Sequence, residues 1–128
     1  MSFENVRFTK EHEWVRLEKS GGLATVGITD FASGELGDIV YIVFPEVGRE
    51  VKAMDPMGTI EAVKTVADLY APVSGVVKEI NTALNDDPAL VNQSPFDKGW
   101  FVKIELSNRS EFDGLMEKNE YDKMVGKD

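Results

Sequence analysis

The 128-residue sequence predicts a mainly β domain, a β sandwich or flattened barrel with short helices. The first indication is a series of short stretches, rich in β-branched and aromatic residues, that recur at close spacing and end at Gly or Pro turns. The second is a change to helical periodicity after Ser110, which predicts a carboxyl-terminal helical segment at about residues 110–125. The length suits one domain, so we expect residues 1–128 to form a single domain with its core at about residues 7–106.

The predicted strands follow one another along the chain with few residues between them. Asp30 is expected to cap a short helix over residues 31–35. The apolar run at residues 38–44 has the length of a strand and is predicted to be buried on both faces. One helical turn is expected after Pro88. The other strands are predicted at residues 5–9, 12–18, 23–28, 50–53, 76–81 and 100–106, with a hairpin of two strands between Gly58 and Pro72.

The carboxyl-terminal segment carries its own helix signals. Ser110 and Asp113 have the spacing of a capping box. The residues that follow place apolar side chains on one helical face, and Asn119 is expected to divide the segment into two short helices. We expect this segment to close an edge of the sheet.

The composition describes an acidic protein. Lys and Arg number 14 against 23 Asp and Glu, which gives a net charge of −9. A surface that binds nucleic acid or an anionic membrane needs the opposite sign, so neither is an expected partner. No apolar run approaches the roughly 18 residues of a membrane span, and no signal or transit peptide is evident. These features predict a cytoplasmic protein of a prokaryote.

The sequence offers little that could act as an enzyme active site. The absence of cysteine excludes disulfides, thiolate metal sites and a cysteine nucleophile. The one histidine, His12, lies between Glu11 and Glu13, and adjacent strand residues point to opposite faces, so a surface histidine is expected and no metal site is predicted. No phosphate-binding loop, dinucleotide fingerprint or nucleophile elbow occurs. The pattern favours a protein that carries a reactive group for other enzymes.

Lys64 lies at the centre of the most informative stretch, residues 57–72. This stretch is expected to form two strands with Val63 and Lys64 at the tip, although it lacks the usual Asn-Gly or Asp-Gly hairpin signal. A lysine there projects a primary amine on a flexible stem into solvent. The alternative is an ordinary exposed lysine near carboxylates, whose surface pairing contributes under about 1 kcal/mol.

The pattern around Lys64 resembles the swinging-arm site of lipoyl domains and, more closely, the glycine cleavage system H protein. Glu61-x-x-Lys64 at the turn, followed by a β stretch and then Ala71-Pro72, carries this resemblance. The family commonly has other residues at three positions, Ala62, Thr65 and Phe96. Further blocks match in order over about residues 7–106: Glu11-His12-Glu13-Trp14, Gly27-Ile28-Thr29-Asp30-Phe31-Ala32, Leu36-Gly37-Asp38-Ile39-Val40-Tyr41, Pro45-Glu46-Val47-Gly48, Leu90-Val91-Asn92, Ser94-Pro95-Phe96 and Gly99-Trp100.

The resemblance implies a lipoyl/biotinyl-type β sandwich and a non-catalytic carrier subunit. Lys64 would hold lipoic acid in amide linkage, as N6-lipoyllysine. The carrier would receive the aminomethyl group of glycine from the pyridoxal-phosphate glycine decarboxylase and deliver it to the tetrahydrofolate-dependent aminomethyltransferase. Dihydrolipoyl dehydrogenase would then reoxidise the arm. A monomer is expected.

Roles are expected for four acidic residues, of which Glu13 and Asp68 match positions that the resemblance places near the arm. Glu61, together with the shape of the turn, is expected to govern recognition by the lipoylating enzyme. Glu13 and Asp68 are expected to hold the loaded arm, because its terminal amine is cationic and favours carboxylates. Glu35 is a further candidate, although the family does not reliably have an acid there.

Three other interpretations stay open. A biotinyl domain has methionines beside its lysine, whereas Val63 and Thr65 flank Lys64 here. A lipoylated relative that relays lipoate to other enzymes would have the same turn. A structural β module would leave Lys64 unmodified. The intact mass of the protein from its own source separates most of these.

Overall fold

The computed structural model describes residues 3–19 and 21–126, and its strands form two antiparallel sheets. The strands are β1 (Val6–Phe8), β2 (Glu13–Leu17), β3 (Leu23–Ile28), β4 (Ile39–Val43), β5 (Glu50–Val51), β6 (Pro56–Ala62), β7 (Val66–Tyr70), β8 (Gly75–Ile80) and β9 (Val102–Leu106). The larger sheet has the order β1-β2-β3-β9-β8-β5 and the smaller one β4-β6-β7. The predicted fold class, a mainly β sandwich, is confirmed.

The main core lies between the two sheets. Val15, Val26 and Ile104 of the larger sheet belong to the same buried cluster as Ile42 and Ile60 of the smaller sheet. Strand residues alternate between two faces, so every second side chain of β2 and β3 enters this cluster. The small sheet is therefore held against the large one by its inner face alone.

A second apolar cluster covers the other face of the larger sheet. Phe8, Trp14 and Tyr121 are buried in it, and the rings of Phe8 and Tyr121 stack with their centroids 4.8 Å apart. The indole N–H of Trp14 donates a hydrogen bond of 2.9 Å to the carbonyl of Pro95. The loop around Pro95 and the carboxyl-terminal region thus form a third layer on this sheet.

The smaller sheet differs from its prediction in one respect. The run at residues 38–44 was expected to be buried on both faces, and this is wrong, because Val40 and Tyr41 of β4 are 51% and 55% exposed. The sheet packs only one face on the core, and a register irregularity between Ile39 and Tyr41 turns two consecutive side chains outward. Gly58 allows β4 to approach β6 closely, since a Cβ there would collide with the carbonyl of Val43.

The five helices of the described chain are short. They are α1 (Asp30–Leu36), α2 (Ala83–Asp86), α3 (Leu90–Gln93), α4 (Arg109–Asp113) and α5 (Lys118–Met124). The expected cap of α1 at Asp30 is wrong by one residue, because the extended Thr29 accepts from the Ala32 amide at 3.1 Å. No helix of the described residues is long and apolar enough to cross a membrane.

The carboxyl-terminal helices are present, but their boundaries differ from those predicted. Asn108, rather than Ser110, caps α4, and the capping box is formed by Glu117 and Glu120 at the start of α5. The break between the helices precedes Asn119, because Met116 forms a β bridge with Phe8 that interrupts the helical backbone. The segment thus closes the free edge of β1 as expected, but through the residue between the two helices and not through a helix.

Candidate functional site

Lys64 lies at an exposed hairpin tip whose backbone is fixed by neighbouring strands. Ala62 closes the turn by donating its N–H to the carbonyl of Thr65 at 2.8 Å. The N–H of Val63 donates to the carbonyl of Asp38 at 3.1 Å, so the tip is also tied to the segment before β4. These bonds hold the tip in the absence of Gly or Asn. The lysine side chain itself is exposed and free to project.

Asn92 braces the segment that holds this tip. Its side-chain oxygen accepts from the Ile39 N–H at 3.0 Å, and its side-chain NH2 donates to the Gly37 carbonyl at 2.8 Å. Asn92 follows Lys64 by 28 positions in the sequence, and only its place in the matching blocks signals its importance. The amide fixes the chain on both sides of Asp38, and through Asp38 it supports the turn of Lys64.

Glu61 lies on β6, in a row of paired residues that crosses the three strands of the smaller sheet. It pairs with Tyr41 of β4 on one side and with Val66 of β7 on the other. Directly paired residues of antiparallel strands point to the same face. Glu61 is partly exposed, while Tyr41 and Val66 are 55% and 63% exposed, so this row lies on the outer face of the sheet.

The three acids expected to hold the arm line one cavity of about 350 Å³. Glu13 begins β2, Glu35 lies near the end of α1, and Asp68 belongs to β7, one of the two edge strands of the smaller sheet. The fold thus brings together carboxyl groups that are distant in sequence. Apolar and aromatic side chains complete the wall, among them Ile28, Phe31, Leu36, Ile60 and Tyr70.

Glu13 is the buried acid of this cavity, with a relative exposure of 1%. The Thr9 hydroxyl donates to one of its carboxyl oxygens at 2.6 Å, and the Tyr70 N–H approaches the other at 3.4 Å. Burial raises the pKa of the Glu13 carboxyl to about 8, and these hydrogen bonds offset only part of the effect. Glu13 is therefore mainly protonated at neutral pH.

Asp68 and Glu35 present exposed carboxyl groups at the cavity rim. Asp68 lies close to the Tyr70 hydroxyl. The negative charge of Asp68 raises the pKa of that hydroxyl, and burial raises it further by a smaller amount. The cavity therefore has a neutral buried carboxyl inside and exposed carboxylates at its mouth. A cationic group could be attracted by the rim before it reaches Glu13.

The support that the carboxyl-terminal helix gives to this cavity is not predicted from the sequence. The Tyr121 hydroxyl lies 2.7 Å from the Thr29 hydroxyl and 2.8 Å from Nδ1 of His12. His12 itself lines the cavity, and Thr29 caps α1, which forms one wall. The partners of Tyr121 lie 92 and 109 positions away, so no local pattern signals these bonds. His12 is partly exposed, as expected of a histidine at the surface, and the Tyr121 hydroxyl contacts its ring nitrogen.

The cavity lies within reach of a long group attached to Lys64. Ala67 of β7 lines the cavity and is three residues from Lys64 in the sequence, so the Cα atoms of the two residues are at most about 10 Å apart. Tyr70, farther along the same strand, lines the cavity as well. Chemically, the site combines an exposed amine, an apolar pocket and carboxyl groups that suit a cationic amine. No cluster of three or more potential metal ligands occurs among residues 3–19 and 21–126.

Comparison with known proteins identifies the family. The family described as glycine cleavage H-protein matches residues 6–128. The chain belongs to the glycine cleavage H-protein family. The H protein of Geobacillus kaustophilus is 52% identical over 122 residues, which cover 95% of this chain and 94% of the relative. The H protein of Staphylococcus haemolyticus is 50% identical over 121 residues, with 94% of each chain covered.

A solved H-protein structure shows the same fold. The crystal structure of the glycine cleavage system H protein from Mycobacterium marinum superposes with a TM-score of 0.88 at 35% identity, covering 98% of this chain and 99% of that chain. Membership of the H-protein family confirms three predictions: a carrier role in glycine cleavage, the absence of an enzymatic role, and partner enzymes that belong to that system. H proteins carry lipoate, which the exposed amine and adjoining cavity of this chain fit.

Proposed function

We propose that Lys64 carries the lipoyl group in amide linkage and that this arm performs the carrier role. The observation that supports this most directly is the exposure of Lys64 at a tip held by the Ala62 and Val63 hydrogen bonds. A primary amine can form an amide with an activated carboxyl group once it has lost a proton. The bound lipoyl group would supply reversible disulfide chemistry and accept the aminomethyl group of glycine.

The specific partners follow from this proposal. The arm would visit the pyridoxal-phosphate glycine decarboxylase, the tetrahydrofolate-dependent aminomethyltransferase and dihydrolipoyl dehydrogenase, after a lipoylating enzyme has modified Lys64. An acidic carrier with a net charge of −9 favours basic docking surfaces on such enzymes. We infer a monomer in the cytoplasm, the compartment expected for a carrier whose relatives named above are bacterial.

Intact mass and peptide mapping of the protein purified from its own source test the attachment site. The expected result is the mass of one lipoyl amide, located on the peptide that contains Lys64. Since amidation removes one positive charge, the modified protein should migrate as a species with one more negative charge. A biotinyl mass, an unmodified protein or a lipoyl group on another lysine would contradict the proposal.

We also propose that the cavity holds the end of the arm while it carries the aminomethyl group. Glu13 and Asp68 supply the polar contacts, and Phe31, Leu36 and Ile60 exclude water from the space between them. A cation that enters lowers the pKa of Glu13, because an opposite charge favours its ionised form. Entry of the amine would then favour release of a proton from Glu13, since that carboxyl is mainly protonated at neutral pH.

The double substitution Glu13→Gln and Asp68→Asn tests this role, because it preserves size and removes both carboxyl groups. We expect the loaded protein to release formaldehyde and ammonia several-fold faster than the parent at pH 7, while Lys64 is lipoylated at an unchanged rate. Chemical shifts of the cavity residues should also change less on loading. An equal lifetime for the loaded parent and variant would show that these acids do not protect the arm.

The substitution Glu61→Ala tests recognition by the lipoylating enzyme. We expect slower lipoylation of Lys64, with the free energy of unfolding changed by less than about 1 kcal/mol, because exposed carboxylates contribute little to stability. Initial rates of lipoyl transfer at several protein concentrations measure the effect. Glu105→Gln is a suitable control, because this exposed carboxylate lies on β9 of the other sheet. Equal rates for the Glu61 variant and the parent would refute the role.

A further inference from the structure

Thr9 is a buried residue in the loop between β1 and β2, with a relative exposure of 3%. The loop is closed by two main-chain hydrogen bonds, from the Thr9 N–H to the Glu13 carbonyl at 3.0 Å and from the His12 N–H to the Thr9 carbonyl at 3.1 Å. This tight path gives His12 a positive φ of 70°, which is uncommon outside glycine. The backbone of the loop therefore places the Thr9 side chain next to that of Glu13.

The Thr9 hydroxyl uses all of its hydrogen-bonding capacity inside this loop. Its oxygen accepts from the N–H groups of Glu11 and Glu13, both at 3.2 Å. A hydroxyl group has two acceptor positions and one donor, so its single proton is left for Oε1 of Glu13, at 2.6 Å. The direction of this bond is therefore fixed, with Thr9 as the donor and the Glu13 carboxyl as the acceptor.

This bond makes the two carboxyl oxygens of Glu13 unequal. Oε1 accepts from Thr9, so a proton carried by the carboxyl is favoured on Oε2. Oε2 lies 3.4 Å from the backbone nitrogen of Tyr70 on β7, a long contact that binds it only weakly. Because Glu13 and Tyr70 both line the cavity, Oε2 is the oxygen available to a group that enters.

We propose that Thr9 is a positioning residue of the arm site, whose hydroxyl fixes the Glu13 carboxyl so that Oε2 meets the amine of the loaded arm. The inference rests on the proposed holding of the arm by this cavity. Burial, the larger effect, raises the pKa of the Glu13 carboxyl to about 8, and the Thr9 bond counteracts it. A hydrogen bond to a carboxylate is stronger than one to the neutral acid. Thr9 therefore favours the ionised form that a cationic amine needs as its partner.

Other titratable groups surround Glu13 in the cavity. They are Glu11 and His12 of the same loop, Glu35 of α1, Asp68 and Tyr70 of β7, and Tyr121 of α5, which contacts His12. The negative charge of Glu11 adds to the rise in the pKa of Glu13. A substitution at Thr9 leaves all of these groups in place. A change in the titration of Glu13 would therefore report the loss of the Thr9 hydroxyl.

Three substitutions test the proposal. Thr9→Val removes the hydroxyl and keeps the β-branched shape, whereas Thr9→Ser keeps the hydroxyl and should restore the parent behaviour. Thr25→Val is a matched control, because Thr25 is 2% exposed and its hydroxyl makes no hydrogen bond within the described chain.

Each protein is lipoylated, and circular dichroism confirms its fold. An NMR titration of the Glu13 carboxyl in the unloaded protein measures its pKa. The protein is then loaded by the glycine decarboxylase with glycine, and the release of formaldehyde and ammonia is followed at several pH values on the acid side of the Glu13 pKa of about 8.

We expect Thr9→Val to raise the pKa of Glu13 by roughly one unit and to displace the pH profile of release upward by the same amount, so that release at pH 7 is up to about tenfold faster. Thr9→Ser and Thr25→Val should match the parent. An unchanged pKa of Glu13 or an undisplaced release profile in Thr9→Val would overturn the inference. A folded Thr9→Ser protein with a displaced Glu13 pKa would overturn it as well.

The same substitution in a Glu13→Gln background separates this inference from the proposed function. An amide does not titrate, so Thr9→Val should add no displacement of the release profile there. An equal acceleration by Thr9→Val in both backgrounds would show that Thr9 acts through the loop and not through Glu13, and would overturn the inference alone. Release from Glu13→Gln at the rate of the parent would instead refute the holding role of Glu13 itself.

Discussion

Replacing Lys64 with arginine is expected to abolish lipoyl attachment and reduce carrier activity to background, while leaving the fold intact. A guanidinium group stays protonated at any physiological pH and cannot serve as the acyl acceptor, although it keeps the positive charge and a long stem. Lys64 is exposed at a turn whose hydrogen bonds all come from the backbone, so its side chain supports none of them. The free energy of unfolding should therefore change by less than about 0.5 kcal/mol.

The measurement is the glycine cleavage reaction reconstituted with the three enzymes and either the parent or the Lys64→Arg protein, after incubation of each with the lipoylating enzyme. Lys78→Arg is a matched control, because Lys78 is also an exposed lysine, on β8 of the other sheet. It should retain full activity and the lipoyl mass. Activity of the Lys64→Arg protein above background would refute the attachment site, as would a lipoyl mass on it.

The strands are predictable from the sequence where local pattern and tertiary structure agree. In the hairpin of β2 and β3 every second residue from Val15 to Leu17 and from Ala24 to Ile28 enters the main core, although the residues between them are largely buried as well. The prediction fails at β4 because an apolar run does not show whether one face or both are covered. Val40 and Tyr41 belong to this apolar run although their side chains are exposed.

The site is predictable in its chemistry and only partly in its geometry. Lys64 can be identified from the sequence for two reasons. It lies at a predicted turn that lacks Gly and Asn, and the residues around it match the pattern of the H-protein family. The acids Glu13, Glu35 and Asp68 are indicated by resemblance and by position, and nothing in the sequence shows that Glu13 is buried. Glu13 is buried because β7 and α1 pack over β2. These contacts join segments that are far apart in the chain. The Tyr121 bonds to Thr29 and His12 escape prediction for the same reason.

Burial of Glu13 has a consequence for stability that depends on pH. In the unfolded chain this carboxyl ionises with the ordinary glutamate pKa of 4.5, whereas in the folded protein its pKa is about 8. Between these values the folded state retains a proton that the unfolded state loses, so stability falls as the pH rises. The contribution is fully present below about pH 4.5, declines by about 1.4 kcal/mol per pH unit, and levels off above about pH 8.

The substitution Glu13→Gln should remove this pH dependence, because an amide of the same size does not titrate. From pH 5 to pH 8 we expect the parent to lose on the order of 4 kcal/mol of unfolding free energy relative to the variant. Urea unfolding at half-unit intervals measures the difference, and an NMR titration of the Glu13 carboxyl measures its pKa directly. Glu35→Gln is the matched control, because it removes an exposed carboxyl group from the rim of the same cavity. Parallel profiles for the parent and Glu13→Gln would show that this carboxyl is already ionised in the folded protein, and the cavity would then hold a fixed negative charge before any cation enters.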